Sequence, residues 1–516
     1  MALLRAITTV GGYTMASRVL GFVRDVLIAA VLGAGAVADA FFISQKIPNL
    51  FRHLFAEGAF NAAFVPQFAG IAETDGEERA RRFAERAMSV LLAVLLPIVI
   101  AAEIAMPLLM YLFAPGFVGE AERFGLAVEM TRVTFPYLLF ISLVSLMGGV
   151  LNSLGRFAAA AATPILLNIC MIGAVLWLAP YTATPGHALA WGVAISGVVQ
   201  FVWLLAECGR AGVALRLPWP RLTPEVKLML KRVVPGAIGA GVYQINVYID
   251  MVIASLLPLG SISYLYYADR VTQLPLGVVG VAAGTALLPF MTRRLRAGDA
   301  EGALHQQNRA LEFSALLTLP AAVALMVIAR PIVDVLFLRG AFDATSADAT
   351  AAALAVYAVG LPGYVLVKGL TPGFFAREDT VTPVKVAGVA LVINVVVALA
   401  LIWPFKHLGI AAATAASAWF NTVALGVILA RRGHFRMDGR LKRRLPRIAL
   451  ASAAMGLVLW AALKYVGPWM ELSVVHGIVG LCLLIGLGGA AYGAAALLAG
   501  AVERADLKRL APRRAT

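Results

Sequence analysis

Runs of about twenty apolar residues recur from one end of the chain to the other, separated by short polar turns. A helix of that length crosses a hydrocarbon core of about 30 Å. No polar stretch of a hundred or so residues is available to make a soluble domain. The pattern dictates an all-α, polytopic membrane protein, because in lipid every backbone N–H and C=O has to find its partner inside the chain. Composition agrees: 61% of the 516 residues are hydrophobic and 14% are charged, against about 45–50% and 25% in soluble domains.

Apolar runs set against charged turns predict fourteen transmembrane helices, at 5–32, 37–69, 83–112, 127–153, 158–179, 187–209, 231–256, 262–291, 308–337, 347–374, 383–403, 409–431, 446–465 and 474–502. An even count puts both termini on one side. About 31 Lys and Arg fall in the termini and even-numbered turns, including RARRFAER, RRLRAGD and RRGHFRMDGRLKRRLPR, and about 5 in the odd-numbered turns. The positive-inside rule then makes the termini cytoplasmic. The net charge of +15 is topology rather than a nucleic-acid footprint. The opening residues lack a small-residue cleavage pattern, so the first segment is expected to stay in the membrane. Cys170, Cys208 and Cys482 show neither a disulfide framework nor zinc-ligand spacing.

An internal repeat is expected at an offset of 225 residues: DVLIAAVLGAGAVADAFF from Asp25 aligns with DMVIASLLPLGSISYLYY from Asp250. Six helices per unit make the repeats parallel, with a site at their interface. The expected organisation is an N-lobe at 1–222, a C-lobe at 223–440, and two further helices with a basic cytoplasmic tail at 441–516.

The stretch SRVLGFVRDVLIAAVLGAG at 17–35 carries Arg18, Arg24 and Asp25 in what is otherwise a lipid-compatible helix. A charge at the bilayer centre costs at least ~2.5–3.5 kcal/mol, so these groups have to face water, protein or a ligand. At 100° per residue Arg18 and Asp25 nearly superpose and Arg24 lies about 120° away. The second segment adds Asp39, Lys46, Arg52 and Glu57, with Pro48, Gly58 and Pro66 to bend it. Asp269 and Arg270 interrupt the eighth. Two readings stay open. One is buried ion pairs, such as Arg24 with Asp39, Arg52 with Glu57 and Arg270 with Asp269. The other is a polar cavity whose guanidinium forks bind phosphate or pyrophosphate oxygens in pairs.

Arg132 and Lys368 lie near helix ends and are expected to snorkel. Asp250, Asn394 and Thr414 could supply oxygens to a small coupling cation, or serve as helix-to-helix hydrogen bonds. Neither an HExxH zinc motif nor a P-loop is present in the sequence.

The segments SRVLGFVRD, ADAFFISQKIPNLFRHLFAEGAFNAAFVPQF, SYLYYADR and LPLGVVGVAAGTALLP resemble those of the MurJ (MviN) lipid II flippases of the multidrug/oligosaccharidyl-lipid/polysaccharide exporter superfamily. The likeness extends to the FAPGF turn at 113–117 and to TPGFFARED at 371–379. It implies two six-helix lobes around a central cavity, with the last two helices holding a polyprenyl tail. It implies a transporter rather than an enzyme, carrying undecaprenyl-pyrophosphate-linked lipid II across the bacterial inner membrane for cell-wall synthesis. Membrane potential or an ion gradient would drive it, with Na+ or H+ as the coupling ion and no other cofactor.

The family's cavity arginines correspond to Arg18, Arg24, Arg52 and Arg270, and Asp25, Asp39 and Glu57 to family acids. Asp250 matches relatives with a sodium site, but Asn394 stands where such a relative has a second acid. Lipid II, membrane phospholipids and cell-wall synthesis proteins are the implied partners, and nothing demands more than a monomer. A related drug exporter, an intramembrane transferase and a non-transporting assembly scaffold are the rival readings.

Overall fold

The computed structural model describes residues 2–55 and 59–502, with side chains described except at 2–7, 54–55, 59, 62, 234–243, 246 and 278–286. The described residues are helical, without a strand. In chain order the first helices are α1 (Ala2–Leu32), α2 (Ala36–Phe55), α3 (Ala59–Asp75), α4 (Glu77–Ile104), α5 (Met106–Phe113), α6 (Ala121–Thr134), α7 (Tyr137–Ser153), α8 (Phe157–Gly173), α9 (Pro185–Arg210) and α10 (Pro224–Ser255). They are followed by α11 (Ser261–Arg296), α12 (Ala300–Val327), α13 (Ala329–Phe337), α14 (Ala344–Phe375), α15 (Val381–Phe405), α16 (His407–Arg431), α17 (Gly439–Met470) and α18 (Val474–Leu498).

Ten helical stretches among the described residues are long and apolar enough to cross a membrane. Several predicted segments arrive in two pieces, and the breaks have a common cause. Pro107, Pro136 and Pro331 sit where α4 gives way to α5, α6 to α7, and α12 to α13. Each lacks the N–H that would continue the helix and suits the start of the next one. Pro48, Pro97 and Pro164 stay inside helices. The bend expected at Gly58 lies outside the described residues, as does Glu57.

The chain divides into two compact units, residues 1–263 with 339–342, and residues 264–338 with 343–516. This boundary comes one helix after the repeat boundary expected at 222, because α10 packs against α2 and α3 of the first unit. In that unit α1 lies along α8, α2 against α6 and α9, and α7 against α9. Phe60, Phe64 and Phe68 of α3 and Phe83 of α4 form a stacked row with ring centroids 5.5–5.8 Å apart. Gly33 ends α1 with φ of 63°, and a Cβ there would lie 2.3 Å from the Ala341 carbonyl oxygen. Ala341 N–H in turn donates to the Ala30 carbonyl at 2.8 Å. Only glycine accommodates both the left-handed backbone and that approach, which seats 339–342 on the first unit.

The second unit is built on α14, which packs against α12 and α16. Leu311, Leu370, Phe374, Leu425 and Leu429 form its buried centre. The last two helices pack on each other and α17 also on α12, through Ile448, Ala451 and Ala496 with Leu316 and Leu319 against them. Glu312 of α12 receives Arg444 of α17 at 2.6 Å and Arg440 at 3.1 Å, and also Arg309. Ion pairing and apolar packing thus both hold α17 to the rest of the unit.

Candidate functional site

The charged residues of α1 do not act as a set. Arg18 is exposed and has no hydrogen-bond partner among the described residues, whereas Arg24 is buried at 7% exposure. The helical geometry that separates the two arginines by about 120° puts one guanidinium outside the unit and the other inside it. Arg24 donates from Nε and Nη2 to Asp25 Oδ1 at 3.0 and 2.7 Å, and from Nη1 to Asn168 Oδ1 at 2.9 Å. Asn168, on α8, also donates from Nδ2 to the Ser17 carbonyl at 2.9 Å. Its amide therefore ties Arg24 to the main chain of α1 from the neighbouring helix.

Arg24 pairs with Asp25 and not with Asp39 as the ion-pair reading had it. Asp39 stands in the first turn of α2 and is fully buried. Its carboxylate accepts from Arg123 Nη2 at 2.7 Å, Gly260 N–H at 2.8 Å, Ser263 N–H at 2.9 Å and the Ser263 hydroxyl at 2.6 Å. Arg123, 1% exposed, comes from α6 and stacks over Phe117 with its guanidinium carbon 3.9 Å from the ring centroid. The FAPGF turn serves this node. Phe117 is the platform, and Gly116 lies so close to the chain before α11 that a Cβ would fall 2.1 Å from the Ser255 carbonyl oxygen.

Sequence reasoning missed both partners. Arg123 sits in GEAERFG, which reads as a solvated outer turn. Nothing local signals its burial. Asn168 carried a usable signal, an isolated amide in the apolar run PILLNICMI, the same signal that singled out Asn394.

Arg52 of α2 is half-buried, donates from Nε to Asn49 Oδ1 at 3.1 Å, and lines a cavity of about 220 Å3 within the first unit. Glu57, its expected partner, lies outside the described residues. In the second unit Arg270 is half-buried on α11, with its guanidinium carbon 4.8 Å from the Tyr266 ring centroid. Gln273, one turn on, stands between the neighbouring charges: its amide nitrogen donates to Asp269 at 2.5 Å and its carbonyl accepts from Arg270 at 3.4 Å. In place of the direct Asp269–Arg270 pair that adjacency in sequence suggested, each of the two meets Gln273, because neighbours on a helix point about 100° apart.

The oxygens considered for a cation are on separate helices. Asp250 is half-buried on α10, Asn394 is buried on α15, and the Thr414 hydroxyl on α16 donates to the Ile410 carbonyl of its own helix at 2.8 Å. No group of three or more His, Cys, Asp or Glu side chains placed to hold a metal occurs among the described residues. Arg132 is exposed and donates to the Glu103 carbonyl at 3.3 Å, the placement expected of a snorkelling end residue.

A family model described as "Lipid II flippase MurJ" matches residues 28–480. A probable lipid II flippase from Rhizobium tropici is 44% identical, with 99% of this chain and 98% of the relative covered. One from Vibrio cholerae is 37% identical over 98% of each chain. Proteins so named are transporters rather than enzymes. Among solved structures, a lipid II flippase in an inward closed conformation superimposes with a TM-score of 0.79 at 26% identity, covering 97% of this chain and 99% of that one. An inward-facing multidrug MATE transporter of the MOP superfamily shares the fold, with a TM-score of 0.65 at 15% identity over 85% of this chain and 99% of that one. Over nearly its whole length, then, this multi-pass membrane protein belongs to the lipid II flippase MurJ family.

Proposed function

We propose that this chain moves lipid II from the inner to the outer leaflet of a bacterial cytoplasmic membrane by alternating access. The observation that carries the anion reading is Arg52 on the wall of a cavity, in the same unit as a second interior guanidinium, Arg24. A pyrophosphate suits such groups, since each guanidinium offers a planar fork of donors to paired oxygens. Arg24 already directs that fork at Asp25 and Asn168. Cargo binding therefore means exchanging the Asp25 oxygen for a phosphate oxygen, an exchange of like for like that leaves Asn168 in place to aim the guanidinium. Arg18 and Arg270 are assigned to the same cargo charge.

Among the acids, Asp25 is the exchangeable partner of Arg24, and Asp269 is held by Gln273. Glu57 keeps its proposed supporting role on the resemblance alone. Asp39, saturated by Arg123, Gly260 and Ser263, is favoured as a structural anchor. The proposed topology is fourteen spans with cytoplasmic termini, lobes at 1–222 and 223–440, and helices at 441–516 for the polyprenyl tail, acting as a monomer. Coupling to Na+ or H+ through Asp250, Asn394 and Thr414 is the ion-gradient form of the proposal. In the alternative form the potential alone drives transport, at about 2.3 kcal/mol per charge per 100 mV.

The test is reconstitution of the purified protein in vesicles with labelled lipid II, reading its accessibility on each leaflet with and without an imposed potential. Transfer is expected to need the protein and to change with the potential. Equal leaflet accessibility with and without the protein would overturn the proposal. Arg270→Lys should rescue Arg270→Ala only in part, because an ammonium cannot grip two oxygens in a plane.

A further inference from the structure

The cavity beside Arg52 is lined by first-unit residues alone and lies among α3, α7, α8 and α9. Among the described residues Arg52 is its one charged lining residue, and the other polar groups are Asn61, Tyr137, Ser145, Thr163 and Gln200, with Asn152 besides. A cavity for a cation would present carboxylates, and one for a second phosphate would present further guanidinium or ammonium groups. Neutral amides and hydroxyls next to a single guanidinium suit a neutral, hydroxyl-rich group attached to an anion.

The hydrogen bonding inside the cavity is incomplete in a specific way. Gln200 is satisfied, donating to the Thr163 carbonyl at 2.7 Å and accepting from the Tyr137 hydroxyl at 3.3 Å. Asn61 donates to the Ser145 hydroxyl at 3.0 Å, which fixes its amide, but its Oδ1 is buried and lacks a hydrogen-bond partner among the described residues. A buried acceptor without a donor is costly to leave unmet. What it asks for is an incoming O–H or N–H. Gly148 and Gly149 of α7 let its neighbours pack close: a Cβ on Gly149 would meet Val65 at 3.2 Å and Asn61 Oδ1 at 3.4 Å, and one on Gly148 would meet Ala160 at 3.4 Å. One exposed edge of the cavity is at Asn152, near the last turn of α7, the end that leads into the basic Arg156 turn.

We propose that this chamber receives the sugar joined directly to the cargo pyrophosphate, with Asn61 Oδ1 accepting a sugar hydroxyl or acetamido N–H while Arg52 holds the adjoining phosphate. The inference rests on the cargo reading given above. Its volume of about 220 Å3 is below the ~300–1,000 Å3 of clefts that take a whole ligand. One ring-sized group fits, so the chamber reads the first sugar and leaves the rest of the headgroup outside. Its effect is specificity: a site built to hydrogen-bond a hydroxyl or N–H rejects a ligand that lacks it, because its buried polar groups are then unpaired.

The experiment compares two probes on the purified full-length protein, undecaprenyl pyrophosphate and the same lipid bearing one N-acetylated sugar, and reads the ratio of their affinities. The unaltered protein should prefer the sugar-bearing lipid by about tenfold or more, and Asn61→Leu should bring the ratio toward one. Arg52→Ala should weaken both probes. Equal affinities in the unaltered protein, or a ratio that Asn61→Leu leaves unchanged, overturns the sugar chamber while the pyrophosphate reading stands. Binding of neither probe overturns the cargo reading and the chamber with it. Should Asn61→Leu not fold, Asn152→Ala at the exposed edge decides: a lowered ratio supports the chamber and an unchanged one overturns it.

Discussion

The first unit holds two buried carboxylate–guanidinium pairs with the same N···O distance of 2.7 Å, Asp39 with Arg123 and Asp25 with Arg24. They are built differently. Asp39 and Arg123 are 84 residues apart on α2 and α6, and the carboxylate also gathers Gly260 and Ser263. Parting them separates elements. Arg24 and Asp25 are neighbours on one helix, so their contact can open and close while α1 stays where it is, with Asn168 keeping hold of the guanidinium. In this unit the pair assembled from distant segments holds elements together, whereas the proposed cargo role falls to the pair made locally.

The largest effect that tests this contrast is expected on stability. Arg123→Ala leaves a buried carboxylate without its countercharge and should destabilise the protein by about 3–5 kcal/mol, read as a lowered unfolding temperature in detergent. Arg24→Ala also leaves a buried carboxylate, Asp25, without this countercharge, but the pair lies within one helix, so it should destabilise the protein less than Arg123→Ala while weakening pyrophosphate binding. A charge-assisted hydrogen bond contributes about 1.5–3 kcal/mol, or roughly ten- to a hundredfold in affinity, measured by titration with undecaprenyl pyrophosphate. If Arg24→Ala unfolds as readily as Arg123→Ala, the contrast between the two pairs is gone.

Asn168→Leu sharpens it further. Loss of one neutral amide that aims the guanidinium should cost about 0.5–1.5 kcal/mol, seen as a several-fold weaker affinity, with Asn168→Gln recovering part of it.

The smallest effect is expected outside the membrane-spanning helices, at Asp379 between α14 and α15. The Thr382 hydroxyl and N–H donate to it at 2.6 and 2.9 Å and Arg432 lies at 2.6 Å, which holds its carboxyl below the usual carboxylate range. A depressed folded-state pKa makes the stabilisation complete above the unfolded value near ~4 and lost as pH falls through the folded value. Asp379→Asn should slightly flatten the acid limb of stability against pH. An acid limb identical to that of the unaltered protein would remove this pair from the account.

Much of the candidate site was readable before any fold was known. Arg18, Arg24, Asp25, Asp39 and Arg52 stood out because ionised groups in apolar helices are expensive. Their partners did not stand out, since pairing depends on which helices become neighbours. Arg24 with Asp39 looked reasonable along the sequence, yet Asp39 is taken by Arg123, whose own surroundings in GEAERFG resemble any polar turn. The division into units shows the same limit. The repeat suggested a boundary at 222, and packing carried α10 into the first unit.

The sequence by itself determined the helical, membrane-spanning character of the chain, its family and the interior charges, because hydropathy and the cost of burying charge act on each segment independently of the rest. Only the tertiary structure decided which arginine is buried and which exposed, that Arg123 and Asn168 belong with the interior charges, and that a cavity opens beside Arg52. Those outcomes depend on contacts 37 to 151 residues apart along the chain, and such contacts exist only once the helices have packed.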